Sequence, residues 1–206
     1  MSKRLKNTTL SIAGLLALLA LVLVIVNTWM VGRSLDSYRN IGVFDNGLLY
    51  FRAYGRHYSS DGYYYGQKWQ CVEFIKRFYF DALGHRMPDV MGHAKDFFDP
   101  DISHRGYNAR RDMIQFLNGG DEPPAPADLL VFRDTGYGHV AIVVSVDADR
   151  VEVIQQNIIG RPRQTFTLQR MNGAYSITSP RSPAGWLRVS STKTAGPVSY
   201  DRNKGE

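Results

Sequence analysis

The first stretch of the chain is uniformly apolar, and no later stretch resembles it. Residues 10–31 carry no charged side chain. This run of roughly 20 residues has the length that spans the hydrocarbon core of a bilayer. Lys3, Arg4 and Lys6 precede it, and positive charge at that position keeps the N-terminus in the cytoplasm. We therefore predict a basic cytoplasmic N-terminus over residues 1–9 and a single transmembrane anchor over residues 10–31.

A cleaved signal peptide and a buried core helix are the two alternatives for this run. It is longer than a usual signal-peptide core, and its end lacks a small-x-small cleavage site. A core helix would carry polar residues along one face, and this run carries almost none. The anchor interpretation makes residues 32–42 a linker. It also places the rest of the chain on the periplasmic, or extracytoplasmic, side of the cytoplasmic (inner) membrane.

Beyond the anchor, the hydrophobic pattern predicts one clear amphipathic helix. Apolar side chains recur at helical spacing over residues 71–83, with most charged side chains on other faces, and Gly84 is a suitable terminator. Residues 88–98 have the composition of a turn followed by a short helix. Ahead of the first helix, residues 42–53 alternate loosely around an Asn-Gly turn signal at 46–47, which predicts a small hairpin. Residues 54–65 are rich in glycine and tyrosine and are predicted to form an ordered loop.

Short β-branched runs dominate the second half of the chain. Strands are predicted over residues 128–132, 140–146, 150–157, 165–171, 175–178 and 185–189. A tight turn at residues 147–149 makes a hairpin of the second and third. Residues 118–127 are broken by glycine and proline and form a loop. Helices that precede antiparallel strands indicate an α+β fold. The polar tail over residues 190–206 is expected to be disordered.

Composition sets few further limits. The chain has 206 residues, 44% of them hydrophobic, which is enough for one globular domain beyond the anchor. The net charge of +6 lies partly at the chain ends and forms no basic stripe, so no nucleic-acid partner is predicted. A single cysteine allows no intrachain disulfide and no cysteine-rich zinc site, and no calcium-loop motif is present. We therefore predict no metal and no cofactor, and the oligomeric state stays open.

The only cysteine, Cys71, lies where the first helix after the anchor is predicted to begin. The dipole and free N–H groups of a helix start favour thiolate over thiol, which is typical of a reactive cysteine. A lone cysteine is nevertheless more often a small buried apolar residue. Position alone therefore leaves both interpretations of Cys71 open.

The predicted strand hairpin brings polar residues together. His139 precedes one strand, and Gln155 and Asn157 lie near the end of the next, so a symmetric hairpin places them side by side. A histidine held by an amide or carboxylate is the base that an active-site thiol requires. The other histidines have no comparable partner: His57, His85, His93 and His104. Four tyrosines before the cysteine either line a substrate cleft or cover the core edge: Tyr58, Tyr63, Tyr64 and Tyr65.

Four short sequences resemble the CHAP domain, the cysteine, histidine-dependent amidohydrolases/peptidases of the NlpC/P60-like, papain-like superfamily. They are Lys-Trp-Gln-Cys-Val-Glu-Phe at 68–74, Asp-Leu-Leu-Val-Phe at 128–132, Gly-His-Val-Ala-Ile-Val at 138–143 and Gln-Gln-Asn at 155–157. The motifs are particularly similar to those of the amidase domain of glutathionylspermidine synthetase/amidase. The resemblance covers residues 43–189 and implies a papain-like α+β fold, with N-terminal helices packed on an antiparallel sheet.

The resemblance also implies a chemistry. Cys71 would attack an amide carbonyl and His139 would transfer the proton, with Gln155 and Asn157 as the polar partners. Related amidases have glutamate where Gln155 stands. This chain therefore lacks the negative charge that would stabilise the imidazolium of His139. The oxyanion would be bound by the Cys71 backbone N–H and one further donor, for which Gln70 and Gln67 are candidates. Tyr65 is an additional candidate for contact with the substrate.

Three functions remain open at this point. The anchor favours a membrane-bound amidase or endopeptidase that cuts peptidoglycan peptides. The resemblance to glutathionylspermidine amidases favours an amidase on that metabolite or on another γ-glutamyl or peptide substrate. The replacement of glutamate by Gln155 leaves room for a catalytically silent wall-binding domain.

Overall fold

The computed structural model describes residues 3–190, so the predicted tail at 191–206 lies outside the described residues. Its first element is the helix α1, Lys3–Met30. The part from Ile12 to Met30 has a mean hydropathy of 2.5 and none of it is buried. By length and composition this helix is able to cross a membrane. The absence of buried residues in it argues against the core-helix alternative.

The remaining elements form one α+β unit, as predicted. A second helix, α2, covers Cys71–Leu83, and a short 3-10 helix covers Ala94–Phe97. The strands before the 3-10 helix are β1 Ser34–Tyr38, β2 Ile41–Phe44, β3 Arg56–Tyr58 and β4 Tyr64–Gln67. Those after it are β5 Gly106–Asn108, β6 Met113–Leu117, β7 Leu129–Phe132, β8 His139–Val146, β9 Arg150–Ile154, β10 Arg163–Met171, β11 Ala174–Ile177 and β12 Gly185–Arg188.

Eight strands join into one antiparallel sheet. Their order is β11-β10-β9-β8-β7-β12-β6-β5, while β1-β2 and β3-β4 are separate two-stranded hairpins. The helix α2 packs on β8, and the core between them includes Phe74, Phe78, Val140 and Ile142. Because a buried aromatic or aliphatic side chain contributes about 2 kcal/mol, this interface fixes the helix firmly against the sheet.

The predicted helix α2 is confirmed at both ends. Gly84 adopts a left-handed φ of 61°, and its N–H donates to the carbonyl of Phe80. The N–H of His85 donates to the carbonyl of Tyr79. The first of these is the 5→1 bond of an αL C-cap, which a glycine in this conformation favours. The helix therefore begins at Cys71 with a defined orientation on the sheet.

The prediction for residues 32–53 was wrong in its details. The hairpin is formed by β1 and β2 and turns at Arg39 and Asn40, which have φ values of 48° and 66°. The supposed linker is thus part of the domain, and Arg163 binds Asp36 at 2.7 Å to hold it there. The Asn-Gly signal at 46–47 lies in the loop after β2 instead. The tight turn of the hairpin is made by two residues that are not glycine, Arg39 and Asn40.

Two further segments differ from the prediction. The predicted loop at 54–65 contains β3 and the beginning of β4, and β5 was not anticipated. Each of these strands has three or four residues, which is too short to produce a recognisable alternation. The strands predicted from residue 128 onward are all present, with ends that differ by a few residues.

Candidate active site

Cys71 is the first residue of α2 and follows Gln70, the residue that caps the helix. The cysteine is partly buried in the core between the helix and the sheet. The backbone N–H of Val140, on β8, lies close enough to the thiol to oppose the rise of its pKa. Since Val140 directly follows His139 in the chain, the packing of α2 on β8 brings the two predicted catalytic residues to the same place.

His139 begins β8 and is nearly fully buried. Its Nε2 lies 3.0 Å from Oε1 of Gln155, the residue that directly follows β9. The hairpin of β8 and β9 produces this contact, as predicted, because it places the start of one strand beside the end of the other. Gln155 therefore occupies the position of the orienting partner of the histidine.

The hydrogen bonds of Gln155 determine which imidazole nitrogen carries the proton. Its Nε2 donates to the carbonyl of Arg161 and to Oε1 of Gln164, each at 3.1 Å. Since a backbone carbonyl can only accept, the amide orientation is fixed and Oε1 must accept from His139. The imidazole then carries its proton on Nε2. Its Nδ1 is left with a free lone pair, which is the form a general base requires.

Burial makes this an uncharged pair. It lowers the pKa of His139 to about 4, which the hydrogen bond to Gln155 opposes but does not overcome. Burial also raises the pKa of the Cys71 thiol to about 11, against the opposing effect of the Val140, Val72 and Cys71 backbone N–H groups. At neutral pH both groups are therefore neutral. Loss of hydration at Cys71 therefore works against the thiolate that the helix start favours.

Alkylation of Cys71 tests this protonation state directly, because the chain has no other cysteine. At pH 7 we expect iodoacetamide to modify Cys71 roughly 100-fold more slowly than free cysteine, with a rate that rises towards pH 11. The measurement is the alkylation rate of the folded chain by mass spectrometry between pH 5 and pH 11. A rate plateau below pH 8, lost in His139→Ala, would show a preformed thiolate–imidazolium pair and contradict the neutral assignment.

Asn157 and Gln70 lie near the site but do not contact the imidazole. Asn157 Nδ2 donates to Oε1 of Gln70 at 2.6 Å and to the carbonyl of Tyr50 at 2.9 Å. Gln70 Nε2 in turn donates to the carbonyls of Tyr50 and Arg52. The structure thus places Asn157 on the loop at 50–52 and not on His139. Gln70 holds the same loop, which leaves its amide N–H groups occupied.

The other two predicted site residues, Tyr65 and Gln67, have different surroundings. Tyr65 is buried, its hydroxyl donates to Asp81 at 2.7 Å, and its ring packs edge-on against Phe80. It therefore fastens β4 to the outer side of α2 and does not face a substrate. Gln67, at the end of β4, is half-buried and has no side-chain hydrogen bond to a described residue. It remains available as a second donor for an oxyanion.

A buried carboxylate behind Cys71 was not anticipated. Glu73 is fully buried, and its Oε1 lies 2.7 Å from Nδ1 of His57 and accepts from Arg77 at 2.6 Å. Its Oε2 accepts from Gln156 at 2.7 Å. Burial alone would raise the pKa of Glu73, but the hydrogen bonds from His57 and Arg77 hold it below its ordinary value. This cluster of Glu73, His57, Arg77 and Gln156 connects the first turn of α2 to the residue next to Gln155.

A hollow of about 320 Å³ opens beside these residues. It is lined by Tyr50, Asn157, Ile158, Ile159 and Arg161. Two of its lining residues belong to the hydrogen-bond network of the site, since Asn157 binds Gln70 and the carbonyl of Arg161 binds Gln155. The hollow is large enough for a peptide side chain or an amide-bearing chain.

The order and spacing of these residues match a known family. Residues 61–157, which include Cys71, His139 and Gln155, match the family model of the CHAP domain. The chain contains a CHAP domain. The resemblance inferred from the sequence motifs is therefore confirmed, and the CHAP match runs from just before β4 through α2 to just after β9.

Two proteins with named activities are similar to part of this chain. The chain is 36% identical over 141 residues to "Bifunctional glutathionylspermidine synthetase/amidase" of Escherichia coli (strain K12), which is 62% of this chain and 22% of that protein. It is 27% identical over 141 residues to "Trypanothione synthetase" of Crithidia fasciculata, with the same coverage of 62% and 22%. The chain thus spans about a fifth of the length of these relatives. The CHAP match and the amidase relative support the prediction of a cysteine amidohydrolase.

A solved structure described as "The crystal structure of Ly7917" is also similar. It is 18% identical, has a TM-score of 0.34, and is matched over 57% of this chain and 52% of that chain.

Proposed function

We propose that this protein is a membrane-anchored cysteine amidohydrolase that cleaves amide bonds in peptidoglycan peptides. The observation that carries the catalytic part is the fixed tautomer of His139. Gln155, whose own amide group is held by Arg161, accepts from Nε2 at 3.0 Å and leaves Nδ1 free to take a proton. A neutral imidazole with a free nitrogen beside a cysteine supplies the two groups that thiol-dependent amide hydrolysis requires, a base and a nucleophile.

The first half of the reaction forms a thioester. The Sγ of Cys71 attacks the amide carbonyl carbon while its proton passes to Nδ1 of His139. Because both groups are neutral at rest, proton transfer accompanies attack and no ion pair precedes it. The tetrahedral intermediate then collapses, the C–N bond breaks, and the imidazolium gives its proton to the leaving amine. Cys71 remains as the acyl thioester.

The second half restores the enzyme. A water molecule attacks the thioester carbonyl, and Nδ1 of His139 accepts its proton. The C–S bond breaks, the thiolate regains a proton from the imidazolium, and the carboxylic acid product leaves. In both halves the oxyanion lies near the backbone N–H of Cys71 at the start of α2, where a helix terminus favours negative charge. Gln67 is the candidate for the second donor.

The substrate assignment rests on the anchor. Lys3, Arg4 and Lys6 precede the apolar span, and positive charge at that end supports an orientation with the CHAP domain outside the cytoplasmic membrane. A domain in that position meets peptidoglycan and does not meet cytosolic metabolites. The similarity to an Escherichia coli synthetase/amidase favours a second candidate, the amide bond of glutathionylspermidine or of another γ-glutamyl peptide.

One assay separates these candidates from a silent wall-binding domain. The full chain in detergent micelles is incubated with purified peptidoglycan sacs and, separately, with glutathionylspermidine, and newly formed amines are labelled and identified. We expect amines from the sacs with the native chain and none with Cys71→Ala, whose helix start is preserved because alanine is a good helix former.

The outcomes are distinct. Release of spermidine alone would move the activity to the second candidate. Binding of the sacs without amine release by either form would indicate the silent domain and contradict the proposed hydrolysis. Equal release by the native chain and Cys71→Ala would refute the role of the cysteine.

A further inference from the structure

The membrane-spanning helix does not merely precede the CHAP domain but hydrogen-bonds to it. Oδ1 of Asn27 accepts from the N–H of Leu48 at 2.9 Å, and its Nδ2 donates to the hydroxyl of Tyr54 at 3.2 Å. The contact is tight, since a Cβ on Gly47 would lie 2.5 Å from Oδ1 of Asn27. The last turn of α1 is thus fastened to the loop after β2.

This attachment fixes the height of the loop above the bilayer. The apolar span runs to Met30, so Asn27 lies about 5 Å below its end at 1.5 Å per residue. The N–H of Leu48 and the hydroxyl of Tyr54, which both bind Asn27, then lie at the level of the last turn of α1. That level is the boundary between hydrocarbon and lipid headgroups.

The side chains that the loop exposes suit that boundary. Leu49, Tyr50 and Phe51 are exposed, with Phe51 at 71%. Ile158 and Ile159 line the hollow together with Tyr50 and add to the same surface. We refer to these five residues as the apolar rim. Exposed aromatic and aliphatic side chains are unfavourable in water and are typical of membrane–water interfaces.

Unpaired basic residues accompany the apolar rim. The guanidinium of Arg33 lies 4.7 Å from the ring centroid of Trp29, and that of Arg52 lies 5.4 Å from Tyr54. Arg161 lines the hollow. None of the three arginines forms an ion pair with an acidic residue within residues 3–190. Cations at this height complement anionic lipid headgroups.

We propose that the apolar rim lies in the headgroup region of the same bilayer that α1 spans, so that the active-site hollow opens at the membrane surface. This inference rests on the proposed membrane anchor. Its consequence for the substrate is direct. A hollow at this height favours substrates whose amide bonds lie at the outer face of the membrane over bonds far out in the wall. The lipid surface itself forms one side of the access route.

Site-directed spin labelling of the full chain tests the proposal. In a Cys71→Ser background, single cysteines replace Val22, Phe51, Ile159 or Met171, and each is labelled with a nitroxide in vesicles of phosphatidylcholine and phosphatidylglycerol. The accessibility of the label to oxygen and to a water-soluble nickel complex reports its depth. Met171 is the matched control, because it is 68% exposed and lies at the end of β10 away from the active site. The other end of β10, Arg163, pairs with Ile154 beside Gln155 and is about 25–30 Å away.

We expect labels at positions 22, 51 and 159 to favour oxygen over the nickel complex, and the label at position 171 to favour the nickel complex. If position 22 is in the membrane but 51 and 159 resemble 171, the rim does not contact lipid and the inference is overturned while the anchor stands. If position 22 is aqueous, the anchor itself is refuted. Tryptophan fluorescence of each variant verifies that the fold is retained.

Discussion

Replacement of Gln155 by leucine is expected to lower kcat/KM for amide hydrolysis by about 10³- to 10⁴-fold. Leucine has a similar volume but offers no acceptor, so the imidazole of His139 loses the bond of 3.0 Å that fixes its tautomer and its orientation. Loss of the orienting partner in the related serine triads has an effect of this size. The measurement is steady-state kinetics on the substrate identified in the amine-release assay.

Gln155→Glu is the matched control for this prediction, because it keeps the acceptor and adds a negative charge. In the native chain, burial lowers the pKa of His139 to about 4, so the base is free at all higher pH values. A carboxylate favours the imidazolium and raises that pKa. The acidic limb of the kcat/KM profile should therefore move from near pH 4 to higher pH. Full activity of Gln155→Leu across the pH range would refute the orienting role.

Replacement of Glu73 by leucine is expected to destabilise the CHAP domain by about 3–5 kcal/mol. The change leaves Arg77 buried without its carboxylate, and removes the acceptor of His57 and Gln156 as well. Breaking a buried ion pair on one side is far costlier than removing both partners. Thermal unfolding of the full chain in micelles, monitored by tryptophan fluorescence, measures the loss.

The double variant Glu73→Leu/Arg77→Leu distinguishes a buried charge from lost packing. If the unpaired guanidinium causes the loss, the double variant should be more stable than Glu73→Leu alone, and the two single changes should not be additive. Additive losses would mean that packing around α2 dominates and that the ion pair contributes little.

The sequence was sufficient to predict Cys71 and His139 as the candidate pair because the signals for both are local. Cys71 lies at a helix start defined by periodicity and by Gly84, and His139 lies at the start of a β-branched strand. Asn157 could not be placed in the same way. In a continuous strand it would share a face with Gln155. However, β9 ends at Ile154 and Asn157 adopts a φ of 67°, so its side chain turns to Gln70 instead.

Glu73 was missed for a different reason. On a helix, a glutamate and an arginine four residues apart are the usual sign of a solvated face. Here the β3–β4 hairpin, which has no recognisable strand pattern, covers that face and buries the pair. Gly66 permits the close approach, since a Cβ there would lie 3.1 Å from the Glu73 backbone. Burial of a charged helical face depends on tertiary contacts that the local sequence does not encode.

The position of β12 in the sheet has a consequence for how the domain is made. This strand enters between β7 and β6, in the interior of the sheet, although it comes after all the others in the chain. Until residues 185–188 have been synthesised, β7 is paired on one side only, with β8, and β5–β6 cannot join the rest of the sheet. The strands that hold His139 and Gln155 are then left on an incomplete sheet. A domain assembled in this order completes the sheet that carries His139 and Gln155 only when its last strand, β12, is inserted.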